Sequence, residues 1–270
     1  MSVIDVNQPD GTPTWIDLDL SGDETERAQD FYGSLFGWEF RASPERGPGH
    51  VTCLLRGGAV AGFRPTAGAT GGSPGQGQLN SPPNPRRWRM YFAADDCDAA
   101  SARAVAAGGS LTEGPHEVDD LGRLALVVDP QGAEFGLWQG RRSPGCELVN
   151  EPDSLVRQDL VTPDAGPARA FYPEVFTYTL DRNDDLPDFD FTFLRRPDGH
   201  EIGGIFGNPG AEQAAWHTVF EVADADRSAA LARAAGGEAG AVIDSPYGRT
   251  AEIVDPLGTA FGIIARPPAG

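Results

Sequence analysis

Between Thr14 and Leu20 the chain alternates, with Trp15, Asp17 and Asp19 on one side and Ile16, Leu18 and Leu20 on the other. A period of two predicts a strand with one face in the core. After the turn residues Ser21-Gly22-Asp23 the period changes. Ala28, Phe31, Tyr32, Leu35 and Phe36 recur at helical spacing as one apolar stripe, and Gly37 ends it. Short strands are expected next at Trp38–Arg41, His50–Arg56 and Ala59–Arg64.

Residues 65–85 are rich in Gly, Pro, Ser and Asn and read as a long loop. Beyond them the order recurs: strand Trp88–Ala94, an Ala-rich helix from Asp96 to Gly108, then strands near Leu111, at Leu124–Val128 and at Ala133–Trp138. The turn Asp129-Pro130-Gln131-Gly132 separates the last two. Residues 142–152 read as a linker, after which the unit starts again. Strand Val156–Val161 precedes a helix, Gly166–Phe176, whose stripe is Ala168, Phe171, Tyr172, Val175 and Phe176. Strands near Tyr178, Phe189–Leu194 and Glu201–Phe206 follow. Strand Trp216–Phe220, helix Asp226–Ala235, strand Ala251–Val254, the turn Asp255-Pro256-Leu257-Gly258 and strand Ala260–Ala265 complete the chain.

The pattern therefore predicts an α+β protein of four βαβββ modules in two tandem halves. Their bounds are 12–141 (modules 12–64 and 86–141) and 153–267, after a polar lead-in at 1–11. Each helix has a single stripe, so helices are expected on the outer faces of curved mixed sheets whose opposite faces enclose a cavity.

Composition narrows the partners. The 40% hydrophobic and 9% aromatic content is that of a globular chain. Asp and Glu number 40 against 21 Lys and Arg, and the net charge of −19 disfavours nucleic acid and anionic membranes. No apolar run is long enough to cross a bilayer and the first residues do not resemble a secretory signal, so a cytoplasmic location is expected. Cys53, Cys97 and Cys146 are widely spaced and read as isolated thiols. A small-molecule ligand remains as the expected partner, for a monomer or homodimer.

Asp17-Leu18 followed by Phe31-Tyr32-Gly33-Ser34-Leu35-Phe36-Gly37-Trp38 resembles the vicinal oxygen chelate superfamily, which includes glyoxalases, bleomycin-resistance proteins and extradiol dioxygenases. Val128-Asp129-Pro130-Gln131-Gly132-Ala133-Glu134-Phe135 adds to the resemblance, as do Phe171-Tyr172 and the run Val254–Phe261. The layout is similar to the two-domain, four-module members. The resemblance implies a divalent metal in the cavity, held by His, Gln or Glu on a module's first strand and Glu on its last. Arg89 and His217 fall in first-strand columns, while Gly136 and Gly262 stand where the Glu would be. Ala61-Gly62-Phe63 and Gly203-Gly204-Ile205 lack a carboxylate too.

The expected cavity therefore has no cofactor and no metal, leaving room only for a weak divalent site around His217 with Asp159 or Glu221. Trp15, Trp88, Arg89, Tyr91, Trp138, Trp216, His217 and Glu221 are expected to bind ligand, the aromatic walls suiting a flat, apolar, even cationic molecule. His50, His116 and His200 fall in loops or strand beginnings and are left out of the site. Two functions stay open. One is a binding protein of the bleomycin-resistance type, holding a natural product or xenobiotic without chemistry. The other is a tailoring enzyme with His217 and either Asp17 or Asp159 as proton carriers.

Overall fold

The computed structural model describes residues 4–66, 86–182 and 189–267, and the expected loop at 65–85 falls outside them from 67 on. The first module is β1 (Pro13–Leu20), α1 (Glu24–Phe36), β2 (Glu39–Ala42), β3 (Val51–Leu55) and β4 (Gly58–Pro65). The second is β5 (Arg89–Ala93), α2 (Cys97–Ala106), β6 (Ser110–Val118), β7 (Gly122–Val128) and β8 (Glu134–Gly140). The third is β9 (Leu155–Thr162), α3 (Ala165–Phe176), β10 (Thr179–Arg182), β11 (Phe191–Arg195) and β12 (Glu201–Gly207). The fourth is β13 (Ala215–Glu221), α4 (Ala225–Ala234), β14 (Glu238–Ala239), β15 (Ile243–Ser245), β16 (Gly248–Val254) and β17 (Ala260–Ala265). Here the pattern expects one strand before β16, and the structure has two short ones, both paired with β16.

Two modules make each sheet. The first runs β2-β3-β4-β1-β5-β8-β7-β6 and the second β10-β11-β12-β9-β13-β17-β16-β14. First strands meet antiparallel at the centre, β1 with β5 and β9 with β13, while each module's last strand pairs parallel with its own first strand. The fold is therefore α+β in two tandem halves.

The helix stripes cover one face of each sheet as the pattern predicts, but those faces are not turned to solvent. They meet. Helix α1 of the first half packs on β13 and β17 of the second: Phe36 lies 5.0 Å from Phe220, and Tyr32 5.9 Å from Phe261, ring to ring. Helix α3 returns the contact, with Phe176 4.6 Å and Tyr172 6.4 Å from Phe92 on β5. One apolar core thus spans both halves, because each stripe is wider than its own module can bury.

Two hydrogen bonds lock this arrangement and explain the paired motifs. Tyr32 donates to Asp255 Oδ2 at 3.0 Å, and Tyr172 donates to Asp129 Oδ2 at 3.0 Å. The other oxygen of each Asp holds its own turn, Asp255 Oδ1 accepting from Leu257 and Thr259 N–H, and Asp129 Oδ1 from Gln131 and Ala133. Burial, then the facing carboxylate, pushes both phenols up, so both remain donors.

The linker is also part of the fold. Cys146 N–H donates to Thr14 O and Glu147 N–H to Ala59 O, both at 2.7 Å, so the segment wedges between the diverging starts of β1 and β4. Gly145 makes this possible, since at its φ of 111° a Cβ would stand 2.3 Å from Thr14 O. Burial pushes the Cys146 thiol up to about 12, so it is inert as a nucleophile. No helix among the described residues is long and apolar enough to cross a membrane.

Candidate functional site

The open face of the first sheet carries a cavity of about 240 Å³. Trp15 and Asp17 from β1, Tyr91 from β5 and Trp138 from β8 reach it because alternate residues of a strand share a face. Arg46, from a short 3-10 turn at Pro44–Arg46, enters from the loop after β2, and its guanidinium lies 4.3 Å from the Trp15 ring centre and 5.7 Å from that of Trp138. His50, Arg64, Glu113 and His116 complete the polar lining.

These groups are unequally satisfied. Trp15 Nε1 donates to Asp17 Oδ1 at 2.8 Å, and Trp138 Nε1 to Ser143 O at 2.9 Å. Arg64 lies 3.6 Å from Asp19 and 3.5 Å from Glu113, and His116 lies 3.4 Å from Glu113. Arg46 donates to Ser143 Oγ at 2.7 Å and has no carboxylate within ion-pair distance among the described residues. Burial pulls its guanidinium below the usual arginine range, against the charge of Asp17. Tyr91 is 1% exposed, and its hydroxyl has no hydrogen-bond partner among the described residues. Burial and then Asp17 push that phenol up, with Arg89 and Arg64 opposing. Burial also lowers His50, which keeps its imidazole neutral near pH 7.

The remaining expected residues lie elsewhere. Trp88 and Trp216 do not line this cavity: with Arg89 they border a separate cleft of about 370 Å³, and each immediately precedes the residue that faces outward, so the pleat turns its ring to the helix-covered side. Trp88 packs 5.2 Å from Tyr32 and 5.8 Å from Phe220, while Trp216 Nε1 donates to Tyr172 Oη at 3.1 Å. Arg89 is also displaced from the cavity, held by Asp19 at 2.7 Å and Glu134 at 3.3 Å.

Asp159, His217 and Glu221 belong to the second half. Asp159 accepts from Arg157 at 2.6 Å, and Arg157 reaches Glu201 at 3.0 Å. His217 stands opposite Asp159 across β9 and β13, and its Nε2 is 3.3 Å from Glu252 Oε1. Burial raises the Asp159 carboxyl, Arg157 and His217 opposing, and its Oδ1 is buried without a partner among the described residues. Glu221 pairs with Arg266 at the sheet end. Of the two carboxylates expected as alternatives beside His217, Asp159 stands opposite it and Asp17 lies on the other sheet.

The metal columns can be tested directly. Gly62, Gly136, Gly204 and Gly262 pair with Asp17, Tyr91, Asp159 and Val219 across the parallel strand contacts. A Cβ would lie 2.2 Å from Asp17 Oδ1 at Gly62, 1.8 Å from Tyr91 Cδ1 at Gly136, and 2.1 Å from Phe191 Cζ at Gly204. At Gly262 it would lie 3.0 Å from His217 Nε2. At the first three positions neighbouring side chains fill the space a last-strand Glu would need, while at Gly262 the His217 tip and Val219 stand beside it. Among the described residues, no three His, Cys, Asp or Glu gather closely enough to hold an ion. The residues present do not fit the superfamily's metal.

Residues 16–138 match the family model of a glyoxalase-like domain. Over 268 residues, 96% of each chain, the protein is 36% identical to CFP32 of Mycobacterium tuberculosis, which bears the provisional name of a glyoxylase. The chain belongs to the glyoxalase-like family of the vicinal oxygen chelate superfamily. Within this family it is also 32% identical, over 94% of its length and 93% of the relative's, to the anthracycline biosynthesis protein DnrV of Streptomyces peucetius. The Mn(II)-bound glyoxalase of Novosphingobium aromaticivorans shares the fold, with a TM-score of 0.64 at 17% identity over 95% of this chain and 82% of that one.

Arg46, His50 and His116 were missing from the sequence-based site. Arg46 and His50 flank Gly47 and Gly49, both at positive φ, in a connection without periodicity. His116 sits on β6, where the register with β7 shifts on either side of Glu113. Only their chemical type, near a cavity already located, offered a signal.

Proposed function

We propose that this glyoxalase-like protein is a metal-independent small-molecule-binding protein of secondary metabolism, and that it holds a planar ligand in the first-half cavity. The observation that carries the reading is the cavity itself: Trp15, Tyr91 and Trp138 wall it, while Tyr91 and Asp17 occupy the space of the metal-binding carboxylates at Gly136 and Gly62. The kinship with DnrV, named for anthracycline biosynthesis, supports a place in natural-product metabolism. Acid–base catalysis by His217 and Asp159 gains less support, because Arg157, Glu201 and Glu252 already engage that pair.

The test is native mass spectrometry of the full chain taken directly from its source cell, before and after chelation. A co-purifying planar compound that survives chelation and is lost in Trp138→Ala is expected. One tightly held divalent ion per chain, with ligand lost on chelation, would overturn the reading.

A further inference from the structure

The two halves place equivalent aspartates at the same point of their sheets, but only one is neutralised. Asp159 has Arg157 two residues before it on the same face, at 2.6 Å. Asp17 has Trp15 there instead, which gives one neutral hydrogen bond to Oδ1 and no charge. Asp17 is 7% exposed and has no ion pair among the described residues. Arg46, which lies over the rings of Trp15 and Trp138, also lacks an ion pair among the described residues. Tyr91 adds a buried hydroxyl with no partner among the described residues. A buried polar group left unpaired costs ~1–3 kcal/mol, so the Tyr91 hydroxyl, beside two charged groups that each have one neutral partner and no ion pair, calls for an occupant.

Charge balance narrows what that occupant is. Arg64 is neutralised by Asp19 and Glu113, and Glu113 also faces His116. The remaining charges are Arg46 and Asp17, which cancel. An anion would satisfy Arg46 and be repelled by Asp17, and a cation would do the reverse. A hydroxyl group suits both, since it donates one hydrogen bond and accepts two. With 240 Å³ available, below the ~300–1,000 Å³ of drug-sized sites, a fused two-ring system is about the upper limit.

Resting on the cavity reading above, we propose that Asp17, Tyr91 and Arg46 form a hydrogen-bond seat in place of a metal, selecting an uncharged planar ligand whose edge carries a hydroxyl. The ligand hydroxyl donates to Asp17 and accepts from Tyr91 and Arg46. Trp15 and Trp138 cover its ring.

Isothermal titration of the full chain with α-naphthol, α-methoxynaphthalene and α-naphthoate, in chelator, tests this. Naphthol is expected to bind about tenfold or more tighter than the other two, since each lost or mismatched buried hydrogen bond is worth ~1–3 kcal/mol. Tyr91→Phe, which removes one oxygen and preserves shape, is expected to weaken naphthol about tenfold. Asp17→Asn should narrow the preference for naphthol over naphthoate. Tightest binding of naphthoate, or equal binding of naphthol and its methyl ether, overturns the seat while leaving the cavity reading standing. If none of the three binds, the cavity reading itself falls and the seat with it.

Discussion

The open faces of the two halves differ position by position while the helix-covered faces match. Strand register sets Trp15 against Arg157, Asp17 against Asp159, Tyr91 against Val219, and Trp138 against Ile264. The first half thus has an aromatic-walled cavity with unpaired polar groups, and the second has a run of ion pairs from Asp181 through Arg195, Glu201 and Arg157 to Asp159. Phe191 and Phe193, 5.0 Å apart, lie beside that run with Arg157 and Arg195 over their rings. Charges paired within the protein have little left for a ligand, whereas unpaired ones await a partner. Duplication kept the face that builds the core and released the other.

The largest test addresses the part that should be equal. Phe92 and Phe220 hold equivalent places on β5 and β13, each buried completely and each touched by the other half's helix. Replacing either with Ala should cost ~3–5 kcal/mol, the usual range for a phenylalanine removed from a close-packed core. Urea unfolding should give a single transition in both variants. A cost below ~1 kcal/mol for one of them would break the reciprocity of the two halves.

The next test addresses the part that should differ. Gly136→Ala drives a methyl group into the buried Tyr91 ring and is expected to cost ~1–3 kcal/mol, whereas Gly262→Ala meets only the end of the His217 side chain and Val219 and should cost less than ~1 kcal/mol. Thermal melts of the two variants decide it. Equal costs would mean that Tyr91 moves aside easily, and that the first half retains room for a carboxylate there.

How far these differences could be read in the sequence depends on distance along the chain. The parity of Ile16, Leu18 and Leu20 and the stripe at Phe31, Tyr32, Leu35 and Phe36 are local, and the structure buries all of them in the core. Trp88 and Trp216 sit next to Arg89 and His217 on their strands, and the pleat turns them into the core. The bond from Tyr32 to Asp255 crosses 223 positions, and nothing near either residue announces it. Part of the cavity's polar wall, Arg46 and His50, comes from the connection after β2, which obeys no period. Local periodicity therefore carried the fold and half of the site, and the rest arises from where loops happen to close.

The two tyrosine bonds offer a further measurement. Tyr32→Phe and Tyr172→Phe each remove one buried hydroxyl from a carboxylate that keeps its backbone donors on the other oxygen, and Tyr172→Phe also takes the acceptor from Trp216 Nε1. Tyr32→Phe should cost ~1.5–3 kcal/mol by denaturant unfolding, the net worth of a buried hydrogen bond to a charged group, and Tyr172→Phe more. The double variant should cost about the sum, because distant sites without shared partners add. A double cost well above the sum would show that the two contacts hold the halves together as one cooperative unit.

The smallest effect sits at the helix ends, where one copy has Gly37 and the other Thr177. Helix α1 stops at Gly37 with φ 67°, and α3 stops at Thr177 with φ 56° in the same left-handed conformation. A β-branched residue is disfavoured there by ~1–2 kcal/mol, while glycine's greater freedom in the unfolded chain returns ~0.5–1 kcal/mol of that difference. Thr177 recovers a little through the bond from its hydroxyl to Phe176 O at 2.6 Å. Thr177→Gly is therefore expected to raise stability by ~0.5–1 kcal/mol, and Gly37→Thr to lower it by a similar amount, since a Cβ at Gly37 meets no atom within 4 Å and only the backbone term remains. Paired thermal melts measure both. If Thr177→Gly lowers stability instead, the hydroxyl bond outweighs the strain, and the second copy ends its helix by a device the first does not use.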